Sequence, residues 1–285
     1  MIAVLFDGVA FGLQLSLLAV GLTLIYGLGG VLNLAHGQFA ATTAIIGARL
    51  IDGGLPVALS VTVAVAMAAG LATALDVTLM RPVYRLRGED RVLSSLLVTL
   101  GLAFAIDGLL IRFAPFTLLN LVVPGPAIVL FGVPMRRGVV VAALSAAAVL
   151  GLLVLVLRGS RWGRAVRSII QDEEGATLCG IDPARMRRSV FALSGVLAGL
   201  VAVTQGLTAP IGATSGRDLT VLALIVTVVG GLGRVSGALI AGVLLGVVHA
   251  VASYAVGAFV TFVLLLLVAI AVILFRPTGI VRSAV

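Results

Sequence analysis

Residues 56–80 read PVALSVTVAVAMAAGLATALDVTLM, a run in which Asp76 is the one charged side chain. As a helix rising 1.5 Å per residue, it is long enough to cross the roughly 30 Å hydrocarbon layer of a bilayer. Similar runs lie on both sides of it. Before it come Gly8–Gly30 and His36–Ile51, and after it Val92–Ile111 and Gly138–Leu157. Further on are a helix from Asp182 to about Leu207, then Leu219–Leu232, Ser236–Val251 and Val256–Phe275. The pattern predicts an all-α polytopic membrane bundle, one transmembrane domain over residues 1–285 with eight or nine hydrophobic segments, some short or broken.

Composition agrees. The chain is 61% hydrophobic before its 35 glycines are counted and only 11% charged, with a mean hydropathy of +1.27. Soluble domains are about a quarter charged, so there is too little polar surface here to coat a water-soluble globule. The opening Met1–Phe6 carries no positive charge, which predicts a retained first helix rather than a cleaved leader.

All 19 basic side chains are arginine. Without lysine there is no P-loop of the usual kind, whose lysine grips nucleotide phosphates, and no Schiff-base chemistry. Any ATP-derived energy must therefore come from a partner. The arginines sit between apolar spans with few aromatics nearby, which points to membrane topology rather than nucleic acid. Placing the 81–91 loop, the 158–188 loop, Arg234 and the C-terminal tail in the cytoplasm leaves only Arg49, Arg112, Arg136, Arg137 and Arg217 outside. Nine segments then put the N-terminus outside and the C-terminus inside.

Three segments are short for a crossing: His36–Ile51, Leu219–Leu232 and Ser236–Val251. Each abuts a glycine-rich break, Gly27-Leu28-Gly29-Gly30 or Gly230-Gly231-Leu232-Gly233. Short, glycine-interrupted segments in corresponding halves point to a transport site near the midplane, although glycines also let helices pack closely. Asn33, His36 and Gln38 form the densest polar cluster beside an apolar run. They read either as pathway groups or as polar groups bonded to backbone freed at the break. The candidate pathway residues are Asn33, His36, Gly37, Gln38, Gly230, Gly231 and Gly233.

Other chemistry finds little support. His249 is a lone histidine on an apolar helix and reads as packing. Asp107 and Arg112 are spaced too far apart for a direct helical pair, and Asp76 can reach water at the cytoplasmic end. Neither carboxylate makes a proton relay. There is no His-Glu-x-x-His or Gly-x-Ser-x-Gly motif. Two separated histidines and the single Cys179 predict neither a metal site nor an internal disulfide, so no catalytic residue or cofactor is assigned.

The 158–188 loop is organised. Asp172 is suited to N-cap a short helix with Glu173 and Glu174 in its first turn, where the helix dipole favours acids. Gly180 suits the left-handed position beyond its end. Asp182-Pro183 then starts the next long helix. Gln171, Asp172, Glu173, Glu174, Gly175, Ala176 and Gly180 are the candidate docking residues of this loop.

Four stretches resemble the permease subunits of branched-chain amino acid ABC importers, with matching order and spacing over nearly the whole chain. They are Gly21–Gly27 running into Asn33-Leu34-Ala35-His36-Gly37, Gly163–Asp182, Gly230–Ala238, and the terminal Leu274-Phe275-Arg276-Pro277-Thr278-Gly279. The resemblance implies a bacterial inner-membrane subunit for branched-chain or related hydrophobic amino acids. It would work with a second homologous permease, two cytoplasmic ATPase subunits and an extracytoplasmic substrate-binding protein. The helix at Asp172–Gly180 would then be the coupling helix. This chain departs from the family at Gln38, where members often carry Glu, and at Gly175, where Ala is common. An ABC permease for urea or amides, or an ion-coupled or passive carrier without an ATPase, are the alternative readings.

Overall fold

The computed structural model describes residues 1–130, 132–276, 279 and 280. Pro277, Thr278 and Arg282 of the tail lie outside the described residues. The helices are α1 Ile2–Gly29, α2 His36–Asp52, α3 Val57–Val83, α4 Gly88–Phe113 and α5 Arg137–Gly159. Then come α6 Arg161–Gln171, α7 Glu173–Leu178, α8 Pro183–Gly206, α9 Ser215–Gly230, α10 Val235–Val256 and α11 Ala258–Phe275. Seven of these, α1, α3, α4, α5, α8, α10 and α11, are long and apolar enough to cross a membrane. The protein is a polytopic helical membrane protein.

Two of the three segments expected to be short are short. α2 has 17 residues and α9 has 16, about 25 and 24 Å of helix. The third is a correction: α10 runs for 22 residues, through Ser253 and Tyr254 to Gly257, whose φ of 86° ends it. Hydroxyl-bearing side chains do not stop a helix that is already propagating; the polar residues at 253 and 254 only mark its approach to an interface.

α1 is apolar on every side and sits at the centre of the bundle, the arrangement expected of a helix without a polar face. It lies against α10 in backbone contact. A Cβ added at Gly8 would meet the Val247 Cα at 2.8 Å, and one at Gly12 the Val243 Cα at 2.7 Å. Gly242 and Gly246 pack against Ser16 and Gly12 from the other side. Two small-residue rows at four-residue spacing let the helices touch, and the Ser16 hydroxyl donates to the Leu239 carbonyl (3.1 Å). By contrast α4 and α11 expose large apolar side chains, Leu97 at 71% and Leu274 at 72%. Such faces suit lipid or another apolar chain.

Short strands cover one end of the bundle. β1 Leu118–Leu119 pairs antiparallel with β4 Ile211–Gly212, and β2 Ile128–Leu130 pairs antiparallel with β3 Val133–Met135. The described residues of the Pro-rich segment between α4 and α5 thus form no helix, as its prolines predict. The arginines divide between the two ends. Arg49, Arg112, Arg136, Arg137 and Arg217 lie toward the strand-covered end. The 81–91 turn, α6, α7, the start of α8 and Arg234 lie at the other.

Candidate functional site

Gly30, at φ 61°, closes α1 in the left-handed conformation, which L-residues with a Cβ adopt only at a cost. The chain then turns back into the bundle without helical structure over residues 31–35. It restarts as α2 where His36 Nε2 donates to the Leu18 carbonyl (3.1 Å). Leu18 lies eleven residues back from the end of α1, about 16 Å, so α2 begins deep inside the bundle. Gly21 provides the space, for a Cβ there would lie 2.9 Å from His36 Nε2.

Non-helical backbone at membrane depth needs hydrogen-bond partners, and α4 supplies them. Ser95 Oγ accepts from the Leu32 N–H (3.0 Å) and Thr99 Oγ1 from the Leu34 N–H (2.9 Å), while Asn33 Oδ1 accepts from the Ala35 N–H (3.0 Å). Arg91 Nη1 donates to the Gly29 carbonyl (3.3 Å) at the helix end. Arg91, Ser95, Thr99 and Asp107 therefore form a polar stripe at multiples of four residues on one face of α4.

The second short helix meets the first start to start. The Gly37 N–H donates to Thr220 Oγ1 (2.9 Å), and that hydroxyl donates to the Gly216 carbonyl (2.9 Å). A Cβ at Gly37 would run into the Gly216 carbonyl, and one at Gly216 into the Gln38 side-chain amide. Asn33, His36 and Gln38 are fully buried. The Gln38 amide lies beside the Asp107 carboxylate without a well-aligned hydrogen bond on either of its atoms. Asp107 Oδ2 pairs with Arg217 Nε at 2.5 Å.

Gly230, Gly231 and Gly233 stand elsewhere. Gly230 packs on Gly237 where α9 turns into α10, and Gly233 lies against Gly27 near the end of α1. The two glycine-rich breaks thus touch at Gly27 and Gly233. The His36–Gln38 break meets the opposite end of α9, at Gly216 and Thr220. Sequence reading missed Ser95, Thr99, Gly216, Arg217 and Thr220. The spacing of the α4 stripe was a usable signal, whereas the pairing of Asp107 with Arg217, 110 positions away, had none. His249 packs its ring against Phe11, with centroids 4.7 Å apart.

At the arginine-rich end, α7 has the expected construction. Asp172 Oδ1 accepts from the Glu174 N–H (3.0 Å), Gly180 has φ 84°, and Asp182 caps α8 through the Ala184 N–H (2.9 Å). The three acids are not equivalent. Glu173 forms an ion pair with Arg187, whose guanidinium lies 4.6 Å over the Tyr84 ring. The Tyr84 hydroxyl donates to Asp76 Oδ1 (2.9 Å), and Asp76 opens a π-helical turn, Asp76–Met80, within α3. Burial and the neighbouring Asp76 raise the Tyr84 pKa, so the hydroxyl stays protonated. Glu174 and Leu178, one turn apart, are exposed, Leu178 by 91%. α6 braces the loop: Ser160 caps it, Val166 and Ile169 are buried, and Trp162 Nε1 donates to Ser189 Oγ (2.8 Å).

The glycine in α7 has a local counterweight. A Cβ at Gly175 would lie 2.5 Å from Asp172 Oδ2. Gly175→Ala gains about 0.8–1 kcal/mol of helix propensity but disturbs a cap worth about 0.5–2 kcal/mol. A thermal melt should show net stability within about 1 kcal/mol of wild type.

Two half-length helices meeting inside a polytopic bundle, with a capped acidic helix at its arginine-rich end, set the frame for comparison with known proteins. Residues 4–275 match the family model described as branched-chain amino acid transport system, permease component. The chain belongs to this family. Its relatives include the high-affinity branched-chain amino acid transport system permease protein BraD of Pseudomonas aeruginosa. That protein is 29% identical, over 97% of this chain and 94% of the relative. The corresponding permease protein LivH of Escherichia coli is 27% identical over the same shares. One chain of the solved structure of PsaBC from Streptococcus pneumoniae in complex with Fab superposes with a TM-score of 0.51. It has 13% identity and covers 95% of this chain and 90% of that one, a likeness of fold. The branched-chain permease family is a transport family and not an enzyme family.

Proposed function

We propose that this chain is a membrane-spanning subunit of a bacterial inner-membrane ABC importer for branched-chain or related hydrophobic amino acids. Its partners would be a second homologous permease, two cytoplasmic ATPase subunits and an extracytoplasmic substrate-binding protein, with the C-terminus in the cytoplasm. The observation that carries the reading is a family match running from residue 4 to 275 on a chain that contains no lysine for a P-loop of its own. The arginine-rich end would face the cytoplasm. There α7 would seat in a groove of an ATPase as the coupling helix.

Asp172, Glu173 and Glu174 divide the work under this reading. Asp172 holds the helix together, and Glu173 ties it through Arg187 and Tyr84 to the π-helical turn of α3. Glu174 and Leu178 face outward to the ATPase, with Gln171, Gly175, Ala176 and Gly180 shaping the same surface. The pathway would run past the Asn33–Gln38 break, with Gly230, Gly231 and Gly233 forming its cytoplasmic bend. Glu174→Arg/Leu178→Asp should lower ATP-driven leucine uptake by the assembled importer about tenfold or more, as loss of an interface anchor does. The amount of protein inserted in the membrane should stay unchanged. Undiminished uptake would sink the coupling-helix assignment. Uptake of leucine by vesicles holding this chain alone, without ATP, would favour a carrier instead.

A further inference from the structure

The Asp107–Arg217 pair is an unusual feature for a helix bundle in lipid. Asp107 lies six residues below the end of α4, about 9 Å into the span. Its side chain is 5% exposed, while that of Arg217 is 52% exposed. A half-open arginine at this depth is costly against hydrocarbon, so this face opens to water or to another protein chain. Arg49, at the same end, is engaged elsewhere: its Nη2 donates to the Phe113 carbonyl (2.7 Å).

Around the pair, polar groups converge with too few partners. The starts of α2 and α9 meet beside it through the Gly37–Thr220 hydrogen bond, which brings their positive dipole ends together. Gln38 is fully buried, its amide reaches the Asp107 carboxylate only in poor alignment, and its Oε1 has no partner. Buried polar atoms in native structures are nearly always partnered, so an arrangement that leaves these poorly partnered is suited to a ligand that brings the missing donors and acceptors.

We infer that Gln38, Asp107, Arg217 and the converging starts of α2 and α9 form an outward-facing recognition site for the zwitterionic head of an amino acid. The inference rests on the proposed transport of amino acids. Arg217 receives the carboxylate, which the positive dipole ends of α2 and α9 favour. Asp107 and the Gln38 amide oxygen receive the ammonium. Leu100 and Phe104, exposed on α4 at the flank of the pair, receive an apolar side chain. When the site is empty the two protein charges satisfy each other, and a zwitterion replaces that one pair by two.

The test uses the complete importer with its binding protein in proteoliposomes and labelled leucine. Asp107→Asn and Arg217→Gln should each cut uptake at least about tenfold, the scale set by truncating one member of a desolvated charge pair. The double variant D107N/R217Q should be no better than either single. The exchange D107R/R217D should not restore uptake either, because the helix dipoles keep their polarity. Copurification of the partner subunits reports assembly. If the neutral variants do not assemble, Arg217→Lys carries the test. It should raise the half-saturating leucine concentration roughly fivefold with the maximal rate unchanged, as loss of bidentate geometry predicts. Uptake within about twofold of wild type in the double or exchanged variant, or an unchanged half-saturation in R217K, would overturn the inference. A wild-type assembly that hydrolyses ATP but imports no amino acid would instead overturn the functional reading, and this site with it.

Discussion

Gly37→Ala will leave little folded protein in the membrane. The new methyl group would sit on the Gly216 carbonyl oxygen, 2.5 Å from Thr220 Oγ1 and 2.7 Å from the Thr220 nitrogen. Overpacking costs about 1–3 kcal/mol when side chains can yield. Here the obstacles are the backbone of α9 and a hydroxyl held between Gly37 and Gly216, so the two helix starts must separate. That breaks the Gly37–Thr220 hydrogen bond as well, and the total should exceed about 3 kcal/mol. Gly101→Ala in α4 is the control: a Cβ there meets nothing within 4 Å, and the change should be neutral or slightly stabilising. Thermal melts of the two purified variants decide the matter. A Gly37→Ala melt indistinguishable from Gly101→Ala would refute the backbone-contact argument.

The second large effect is expected on the other side of the break. Ser95→Ala with Thr99→Val removes the acceptors for the Leu32 and Leu34 N–H groups. Each orphaned group costs about 1–3 kcal/mol, giving roughly 2–6 kcal/mol for the double variant. No water is at hand in the membrane core to replace the lost partners. Hydrogen exchange read by mass spectrometry should show residues 31–35 losing protection while α1 keeps its own, and ATP-driven uptake by the importer should fall with it. Unchanged exchange across 31–35 would mean that the segment is held by something other than α4.

The helical membrane fold was legible because apolar runs and arginine-bearing breaks alternate so cleanly. Boundaries were less so where charge falls inside a helix. Arg217 and Asp218 read as loop, yet they lie in the first turn of α9, and Arg217 finds its countercharge on α4. Glu89 and Asp90 likewise precede the expected start at Val92 but occupy the first turn of α4, where the dipole favours them. For the site, the polar cluster at Asn33, His36 and Gln38 was visible as residues expensive to bury. What it meets was not. Helical periodicity orders neighbours three and four positions apart, whereas the approach of Gly37 to Gly216 depends on how the chain returns after six intervening helices and four short strands. The acids of α7 show the same limit: their capping pattern is local and readable, but the tie from Glu173 to Arg187 and on to Tyr84 and Asp76 spans three elements.

The contact between α1 and α10 bears on how the molecule can move. Where glycines bring two backbones together over successive turns, no rotamers lie between them to be exchanged, and sliding one past the other would drive Val243 or Val247 into the opposing chain. The two helices are therefore a single strut. Reporters fixed at Leu13 and Leu244 should hold one separation through every stage of a transport cycle, and the changes of distance should appear between this strut and its neighbours.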